Sequence, residues 1–122
     1  MRKRSILCAA LSLSACSHGN NPNICTTPDP VWAPRTRADV TRNCIHRWSY
    51  RLARAPGPNP EIASAALGAC DETFDYWAED RRRRENLPDE RLPQIKQAIR
   101  QEMEQLALYR VVQARAGDCD AP

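Results

Sequence analysis

Apolar residues recur every three to four positions along most of the chain, which is the spacing of an amphipathic helix. One such stripe lies within residues 36–55 and a second within residues 60–85. A third runs from about Pro93 to Ala116, and Gly117 is expected to cap it. The stripes comprise Val40, Cys44, Trp48 and Leu52; Ile62, Ala66, Cys70, Phe74 and Trp77; and Leu92, Ile95, Ile99, Met103 and Leu106. The pattern predicts an all-α fold, a small three-helix bundle.

Proline and glycine mark the ends of these stripes. The run Ala-Pro-Gly-Pro-Asn-Pro at 55–60 separates the first two helices. Asn59 is expected to be the N-cap of the second helix and Pro60 its first residue. Asn-Leu-Pro at 86–88 ends the second helix. Residues 16–35 contain four prolines, which predicts a flexible, extended tether before the helical domain of residues 36–119.

The first two stripes can be aligned as an antiparallel hairpin. If the turn centres on Gly57, positions whose numbers sum to 114 lie level with each other. Cys44 then faces Cys70, and Trp48 faces the small residue Ala66. Opposite charges also fall level, as with Arg42 and Glu72. The alignment predicts a Cys44–Cys70 disulfide.

The first sixteen residues differ from the rest of the chain. Three basic residues (2–4) precede a nine-residue apolar run (5–13), which is too short to span a bilayer. The sequence Leu13-Ser14-Ala15-Cys16 follows. It resembles the lipobox of bacterial lipoproteins, and this resemblance implies that residues 1–15 are a signal peptide and that Cys16 becomes the lipidated first residue. Ser17 after the cysteine resembles the pattern of lipoproteins sorted to the outer membrane, facing the periplasm.

Two alternatives to lipidation stay open: ordinary secretory cleavage near Ala15, which yields a soluble product, and a buried helix of a cytosolic protein. Export agrees with the cysteines. Of six, Cys8 is lost with the leader and Cys16 is lipidated. The remaining four predict two disulfides in an exported small domain. Beside Cys44–Cys70, the second pair is Cys25–Cys119, with pairing between chains as its alternative.

Charge excludes one class of function. The chain has a formal net charge of +3, but three of its basic residues lie in the leader. Because the mature part is neutral, we expect no nucleic-acid partner. Arginines dominate residues 16–60 and carboxylates dominate residues 61–122, which suggests that the two halves pack on each other; a field that steers a ligand is the alternative.

No catalytic or metal-binding motif stands out, and no cofactor is expected. His46 is interpreted as a surface or flanking residue, and His18 lies in the tether. The cysteine spacing contains no Cys-x-x-Cys. The run Arg81, Arg82, Arg83 and Arg84 is interpreted as a solvated helix end, with a contact for anionic groups or a partner as the alternative.

Charged ridges and aromatic residues are the other candidate features. Asp71, Asp75 and Glu79 are expected to form salt bridges with helix one, whose basic ridge comprises Arg47, Arg51 and Arg54. Trp48 and Trp77 are core candidates. Trp32, Tyr50 and Tyr76 are candidates for exposed aromatics at a binding face.

Residues 44–70, with Cys-Ile-His-Arg-Trp-x-Tyr-Arg-Leu-Ala and then Ala-Ala-Leu-Gly-Ala-Cys, are similar to short uncharacterised bacterial helical proteins that carry a paired cysteine. This resemblance supplies no activity. The sequence therefore predicts a membrane-anchored envelope lipoprotein, not an enzyme, with a helical domain that contacts an envelope partner. A periplasmic inhibitor or small-ligand-binding protein is the alternative.

Overall fold

The computed structural model describes residues 23–27 and 33–120, and this part of the chain is all-helical. The elements are α1 (Arg37–Leu52), α2 (Asn59–Ala69), α3 (Asp71–Arg84), a 3-10 helix (Asp89–Arg91) and α4 (Leu92–Arg115). Helix α4 packs against each of the other three α-helices. The all-α prediction is confirmed, but the second predicted helix is divided into α2 and α3, so that the bundle has four α-helices.

Thr36 begins α1 as its N-cap. The backbone N–H of Asp39 donates to Thr36 Oγ1 at 3.1 Å, and the N–H of Thr36 donates to Asp39 Oδ2 at 3.0 Å. This reciprocal pair satisfies N–H groups that have no partner within the first helical turn. The side-chain hydrogen bond with Thr36 and the backbone hydrogen bond from Arg35 lower the pKa of Asp39. The start of α1 is therefore fixed by local sequence.

The break between α2 and α3 lies at Cys70. Its backbone leaves the helical region, with φ of −107° and ψ of 11°. The Thr73 hydroxyl donates to the Cys70 carbonyl at 2.7 Å, and the Thr41 hydroxyl of α1 donates to the Thr73 carbonyl at 3.1 Å. Such side-chain bonds compete with the helical ladder and bend helices. The prediction of one continuous helix is wrong because α1 packs into this bend.

The predicted antiparallel register between α1 and the α2–α3 arm is confirmed. Cys44 and Cys70 form a disulfide with Cα atoms 5.9 Å apart. Thr41 and Thr73, which bond to each other one turn further on, also have numbers that sum to 114. The turn between the helices contains Gly57 with a φ of +121°, a conformation that few residues other than glycine adopt.

Arg115, from the last turn of α4, holds this turn in place. Its guanidinium donates to the carbonyls of Ala53, Ala55 and Gly57 at 2.9, 2.8 and 3.0 Å. It also donates to Asn59 Oδ1 at 2.7 Å. Asn59 is the first residue of α2, and Pro58 is the N-cap. The predicted capping role of Asn59 is therefore wrong, because its side chain accepts from Arg115 instead.

Helices α3 and α4 end in the same way. The N–H of Asp118 bonds to the Gln113 carbonyl at 3.0 Å, across Gly117 with its φ of +85°. At α3 the N–H of Leu87 bonds to the Arg82 carbonyl at 2.9 Å, across Asn86 with its φ of +51°. Each arrangement satisfies carbonyls of the last helical turn through a residue in the left-handed region. The predicted cap at Gly117 is confirmed.

A second disulfide joins Cys25 to Cys119, with Cα atoms 5.5 Å apart. The N–H of Cys25 donates to the Ala114 carbonyl at 2.9 Å, so that residues 23–27 lie along the last turns of α4. Cys25 is 6% exposed and packs with Tyr50, Ala53 and Ala114 in a small core separate from the main one. The folded body therefore includes residues 23–27 as well as the helices.

The bundle has two ends, which we call the turn end and the opposite end. The turn end contains the α1–α2 turn (residues 53–58), the last turn of α4 and the Cys25–Cys119 disulfide. The opposite end contains the start of α1, the end of α3 and the 3-10 helix. Between them lies the main core, in which Phe74, Trp77 and Ile99 are buried and Trp48 is half-buried.

Candidate functional site

Four polar side chains are buried together where α1 packs against α4. His46, Ser49 and Tyr50 come from α1 and Arg110 comes from α4; we refer to them as the buried polar cluster. His46 is 4% exposed and Arg110 is 8% exposed, while Ser49 and Tyr50 are fully buried. The expectation that His46 lies on the surface is wrong, and so is the exposed position suggested for Tyr50, because α4 covers this side of α1.

The environment of the buried polar cluster disfavours charge. Burial, and secondarily the nearby positive charge of Arg110, lower the pKa of His46 to about 4. Burial also lowers the pKa of Arg110 and raises the pKa of Tyr50. The His46 and Tyr50 rings lie 4.8 Å apart between centroids. His46 is therefore a neutral imidazole at neutral pH.

Within the described ranges, several atoms of the buried polar cluster have no hydrogen-bond partner. They are both ring nitrogens of His46, Ser49 Oγ, the Tyr50 hydroxyl and Arg110 Nε. Ser49 and His46 therefore do not form the hydrogen-bonded pair that a serine nucleophile needs. Arg110 is tied at its other side to Gln113, which in turn donates to Asp118. The cluster has the character of a polar seam between helices.

The four arginines at the end of α3 all contact carboxylates. Arg81 pairs with Glu85 at 2.8 Å and Arg84 with Asp80 at 3.0 Å. Arg82 pairs with Glu79 at 2.8 Å and with Asp89 at 3.0 Å, and Arg83 lies 3.6 Å from Glu79. Glu79 has a lowered pKa, chiefly through its hydrogen bond from Arg82. These pairs neutralise much of the charge that was suggested as an anion or partner contact.

Of the stacked carboxylates of α3, Asp71 and Asp75 pair with α4, and Glu79 pairs within α3; none of the three forms an ion pair with α1 among the described residues. Lys96 lies 2.9 Å from Asp71 and 2.7 Å from Asp75, and Arg100 lies 2.9 Å from Asp71. The hydrogen bond from Lys96 is the main cause of the lowered pKa of Asp71. Salt bridges to helix one were expected here, and that expectation is wrong because α4 lies closer to this face of α3.

The opposite charges that the hairpin alignment places level with each other do not form the predicted pair. Arg42 contacts Asp39 at 3.8 Å and Glu102 at 4.0 Å instead of Glu72. Glu72 accepts a hydrogen bond from the Tyr76 hydroxyl at 3.0 Å. Charge complementarity between the halves therefore does not explain how they pack; the apolar register does.

Arg47, Arg51 and Arg54 are exposed on the outer face of α1 and its following turn, near the turn end; we call them the arginine ridge. Arg51 lies over the Trp48 ring, with its guanidinium carbon 5.3 Å from the ring centroid. Among the ion pairs of residues 23–27 and 33–120, none involves the arginine ridge. Arg35, Arg37 and Arg91 also form none of these ion pairs, so the ridge is the group of such arginines that lies near the turn end.

Two surface clefts could accommodate a ligand. One of about 530 Å³ lies between α3 and α4 and is bordered by Tyr76, Ala78, Leu92 and Lys96. Tyr76 is 53% exposed there, as suggested for a binding face. The other, of about 440 Å³, lies at the opposite end between Arg37 and Arg84. Cys16, His18 and Trp32 lie outside the described residues.

Across the part of the chain that the structure describes, no helix combines the length and apolar character needed to cross a membrane. The same residues contain no cluster of three or more histidine, cysteine or carboxylate side chains suited to a metal ion. In comparisons with known proteins, no family model, curated sequence or solved structure matches this chain.

Sequence reasoning missed two residues that organise the structure. Arg115 was not singled out, although an arginine in the last turn of a helix is well placed to bind carbonyls. Arg110 was also missed, because it interrupts the apolar stripe of α4 only one turn before that helix ends. The sequence of α1 did contain a signal for the buried polar cluster. A second buried face is marked at helical spacing by His46, by Ser49 or Tyr50, and by Ala53.

Proposed function

We propose that this chain is a lipid-anchored lipoprotein of the bacterial envelope whose helical domain is a non-enzymatic interaction module. In this proposal Cys16 carries the lipid and the outer membrane, facing the periplasm, is the destination. Helices α2 and α3 act as one bent arm, so that the domain is a three-armed bundle.

The observation that carries the proposal is the state of the cysteines. All four cysteines after Cys16 lie in disulfides that close long loops, with sequence separations of 94 and 26 residues. Disulfides of this kind persist outside the cytosol, where thiols are not kept reduced. The leader and lipobox-like sequence at residues 1–16 agree with such a destination.

An interaction role is supported by what the domain lacks and what it displays. The buried polar cluster contains the only histidine of the described residues, and its imidazole is covered and unbonded. The exposed surface instead carries uncompensated arginines and the large aromatic side chain Tyr76. Arginine and tyrosine are enriched where proteins bind partners.

A small-ligand-binding protein is the second candidate, and one observation favours it. The cleft of about 530 Å³ between α3 and α4 has the volume of a small-molecule site. Its border combines apolar groups such as Ala78 and Leu92 with the charged groups of Asp75 and Lys96. This arrangement suits a compact amphipathic ligand.

Lipidation is tested by metabolic labelling with an alkyne fatty acid. We expect the wild type to incorporate label and to mature by loss of residues 1–15, as intact mass will show. Cys16→Ser should abolish both, whereas the matched control Cys8→Ser, which changes a cysteine inside the leader, should leave both unchanged. Equal labelling of the two variants would refute lipidation at Cys16.

The interaction role is tested by replacing exposed tyrosines with a photo-crosslinking amino acid in cells. Tyr76 and Tyr109 are matched positions, with exposures of 53% and 52%. A discrete protein adduct from one position but not the other supports a specific protein partner. If neither position yields an adduct and native mass spectrometry finds a small molecule retained by the wild type but lost in Leu92→Arg, the ligand-binding alternative replaces it.

A further inference from the structure

The place where the chain leaves the folded body is set by the Cys25–Cys119 disulfide. Without that bond, the first residues held by the bundle would be those that begin α1, at the opposite end. With it, the chain is fixed beside Ala114, at the turn end. The disulfide therefore moves the exit point of the N-terminal chain from one end of the bundle to the other.

The distance from that exit point to Cys16 is short. Cys25 lies nine positions after Cys16, and nine extended residues span at most about 30 Å. Ala114 lies 22 residues after Leu92, the first residue of α4, which corresponds to about 33 Å along a helix axis. By these lengths, a lipid on Cys16 keeps the turn end within about 30 Å of the bilayer, whereas the opposite end can lie about 33 Å further out.

Both ends of the bundle carry arginines, and the arginine ridge belongs to the end that the tether reaches. The turn end has the arginine ridge, and Arg115 adds a charge bound to backbone carbonyls. The exposed or half-exposed carboxylates described at this end are Glu61, Asp118 and Asp120, and none of them forms an ion pair with the ridge. At the opposite end Arg81, Arg82, Arg83 and Arg84 are paired with carboxylates. Arg35, Arg37 and Arg91, also at that end, form none of the ion pairs of the described residues. The end that the tether brings to the membrane thus presents three exposed arginines that no carboxylate of the described residues contacts.

We propose that the arginine ridge is a docking surface for the anionic phospholipid headgroups of the membrane that holds the Cys16 lipid. Guanidinium groups bind phosphate through two parallel hydrogen bonds. Trp48, half-buried under Arg51, places an aromatic ring of the kind enriched at membrane interfaces at the same spot. The inference rests on the proposed lipidation, and it adds an orientation: the ridge faces the bilayer while α3 and the α3–α4 cleft face away.

The test uses the processed lipoprotein reconstituted in vesicles and an arginine-modifying dicarbonyl reagent, with modification of each arginine quantified by mass spectrometry. Vesicles contain either phosphatidylcholine alone or phosphatidylcholine with phosphatidylglycerol. An arginine at an anionic surface gains about five-fold in binding. We therefore expect modification of Arg47, Arg51 and Arg54 to slow about five-fold on the anionic vesicles. Arg81, Arg83 and Arg84 of the same molecules should change less than two-fold.

Two matched triple variants distinguish membrane contact through the arginine ridge from a general effect of positive charge on binding. One replaces Arg47, Arg51 and Arg54 with glutamine, and the control replaces Arg81, Arg83 and Arg84, the same loss of charge at the opposite end. Neutron reflectometry on an anionic supported bilayer should show wild type and control as a protein layer in contact with the headgroups. The ridge variant should show a water gap. A gap of equal size in both variants would overturn the docking surface.

A third variant tests the disulfide. Replacing Cys25 and Cys119 together with serine should remove the preferential protection of the arginine ridge; retention of that protection would show that the disulfide does not orient the domain. Intact mass, measured first, keeps the failures distinct. A product without lipid on Cys16 overturns the proposed function and the inference with it. A lipidated product whose six arginines are modified at the same rates on both kinds of vesicle overturns the inference alone.

Discussion

Acidification should destabilise this domain through a single buried imidazole. The pKa of His46 falls from an ordinary 6.5 in the unfolded chain to about 4 in the folded one, because burial and Arg110 disfavour its charged form. Between these two values the unfolded chain binds a proton that the folded chain does not. Stability attributable to His46 is therefore complete above pH 6.5 and is lost progressively as the pH falls toward 4.

The magnitude follows from the two pKa values. Linkage gives a loss of about 2 kcal/mol in the free energy of unfolding between pH 7.5 and pH 5, and about 3 kcal/mol once the pH is below 4. Carboxylates with lowered pKa, such as Asp39, Asp71 and Glu79, add a loss of their own as the pH falls below about 4.5. The interval from pH 7.5 to pH 5 thus isolates the histidine.

The assay is urea unfolding followed by circular dichroism, with both disulfides intact, at pH 7.5, 6.0 and 5.0. His46→Gln is the comparison, because glutamine keeps a polar side chain of similar length without a titrating group. We expect the wild type to lose about 2 kcal/mol over this interval and the variant to lose less than about 0.5 kcal/mol. The same loss in both proteins would refute the assignment of acid sensitivity to His46.

Three further predictions concern the fold. Arg115→Gln removes the donors that hold the α1–α2 turn and should cost about 2–3 kcal/mol in urea unfolding, whereas Arg54→Gln, an exposed change nearby, should stay within about 0.5 kcal/mol. Gly117→Ala forces a Cβ to within 2.6 Å of the Asn23 carbonyl at a φ of +85° and should lower the melting temperature; Gly68→Ala, in a helix with open space around it, should raise it by the equivalent of about 0.5–1 kcal/mol. Replacing Cys44 and Cys70 together with serine opens a loop of 26 residues and should cost about 3.5 kcal/mol; a loss under 1 kcal/mol would show that the bend at Cys70 is held by packing alone.

The parts of the fold that could be predicted are those set by neighbours in sequence. Helix α4, the Gly57 turn and the Cys44–Cys70 register follow from apolar spacing and from a short connection, which makes α1 and α2 antiparallel neighbours. The bend at Cys70 does not follow, since it depends on hydrogen bonds that join Thr41 and Thr73 across two helices. Apolar spacing carries no information about such bonds.

The candidate sites were harder to predict for a related reason. A hairpin alignment places α2 against one face of α1, but it does not say where α4 lies. In the structure α4 covers a second face of α1, and His46 and Tyr50 lie on that face. The partners expected for Asp71 and Asp75 were wrong for the same reason, since Lys96 of α4 is their neighbour. Each error comes from the position of the third arm around the first two.

The two disulfides stabilise different parts of the molecule. Cys44–Cys70 lies in the main core, at the bend where Thr41 and Thr73 also meet, so that it reinforces a contact that packing already makes. Cys25–Cys119 joins two segments that contain no helix, and it lies beside a small separate core and the backbone bond from Cys25 to Ala114. This disulfide closes a loop across 94 residues but adds little helix packing. Its chief effect is to fix where the two ends of the chain leave the folded body. If a lipid on Cys16 holds the domain, as we propose, that exit point determines which surface of the domain faces the membrane.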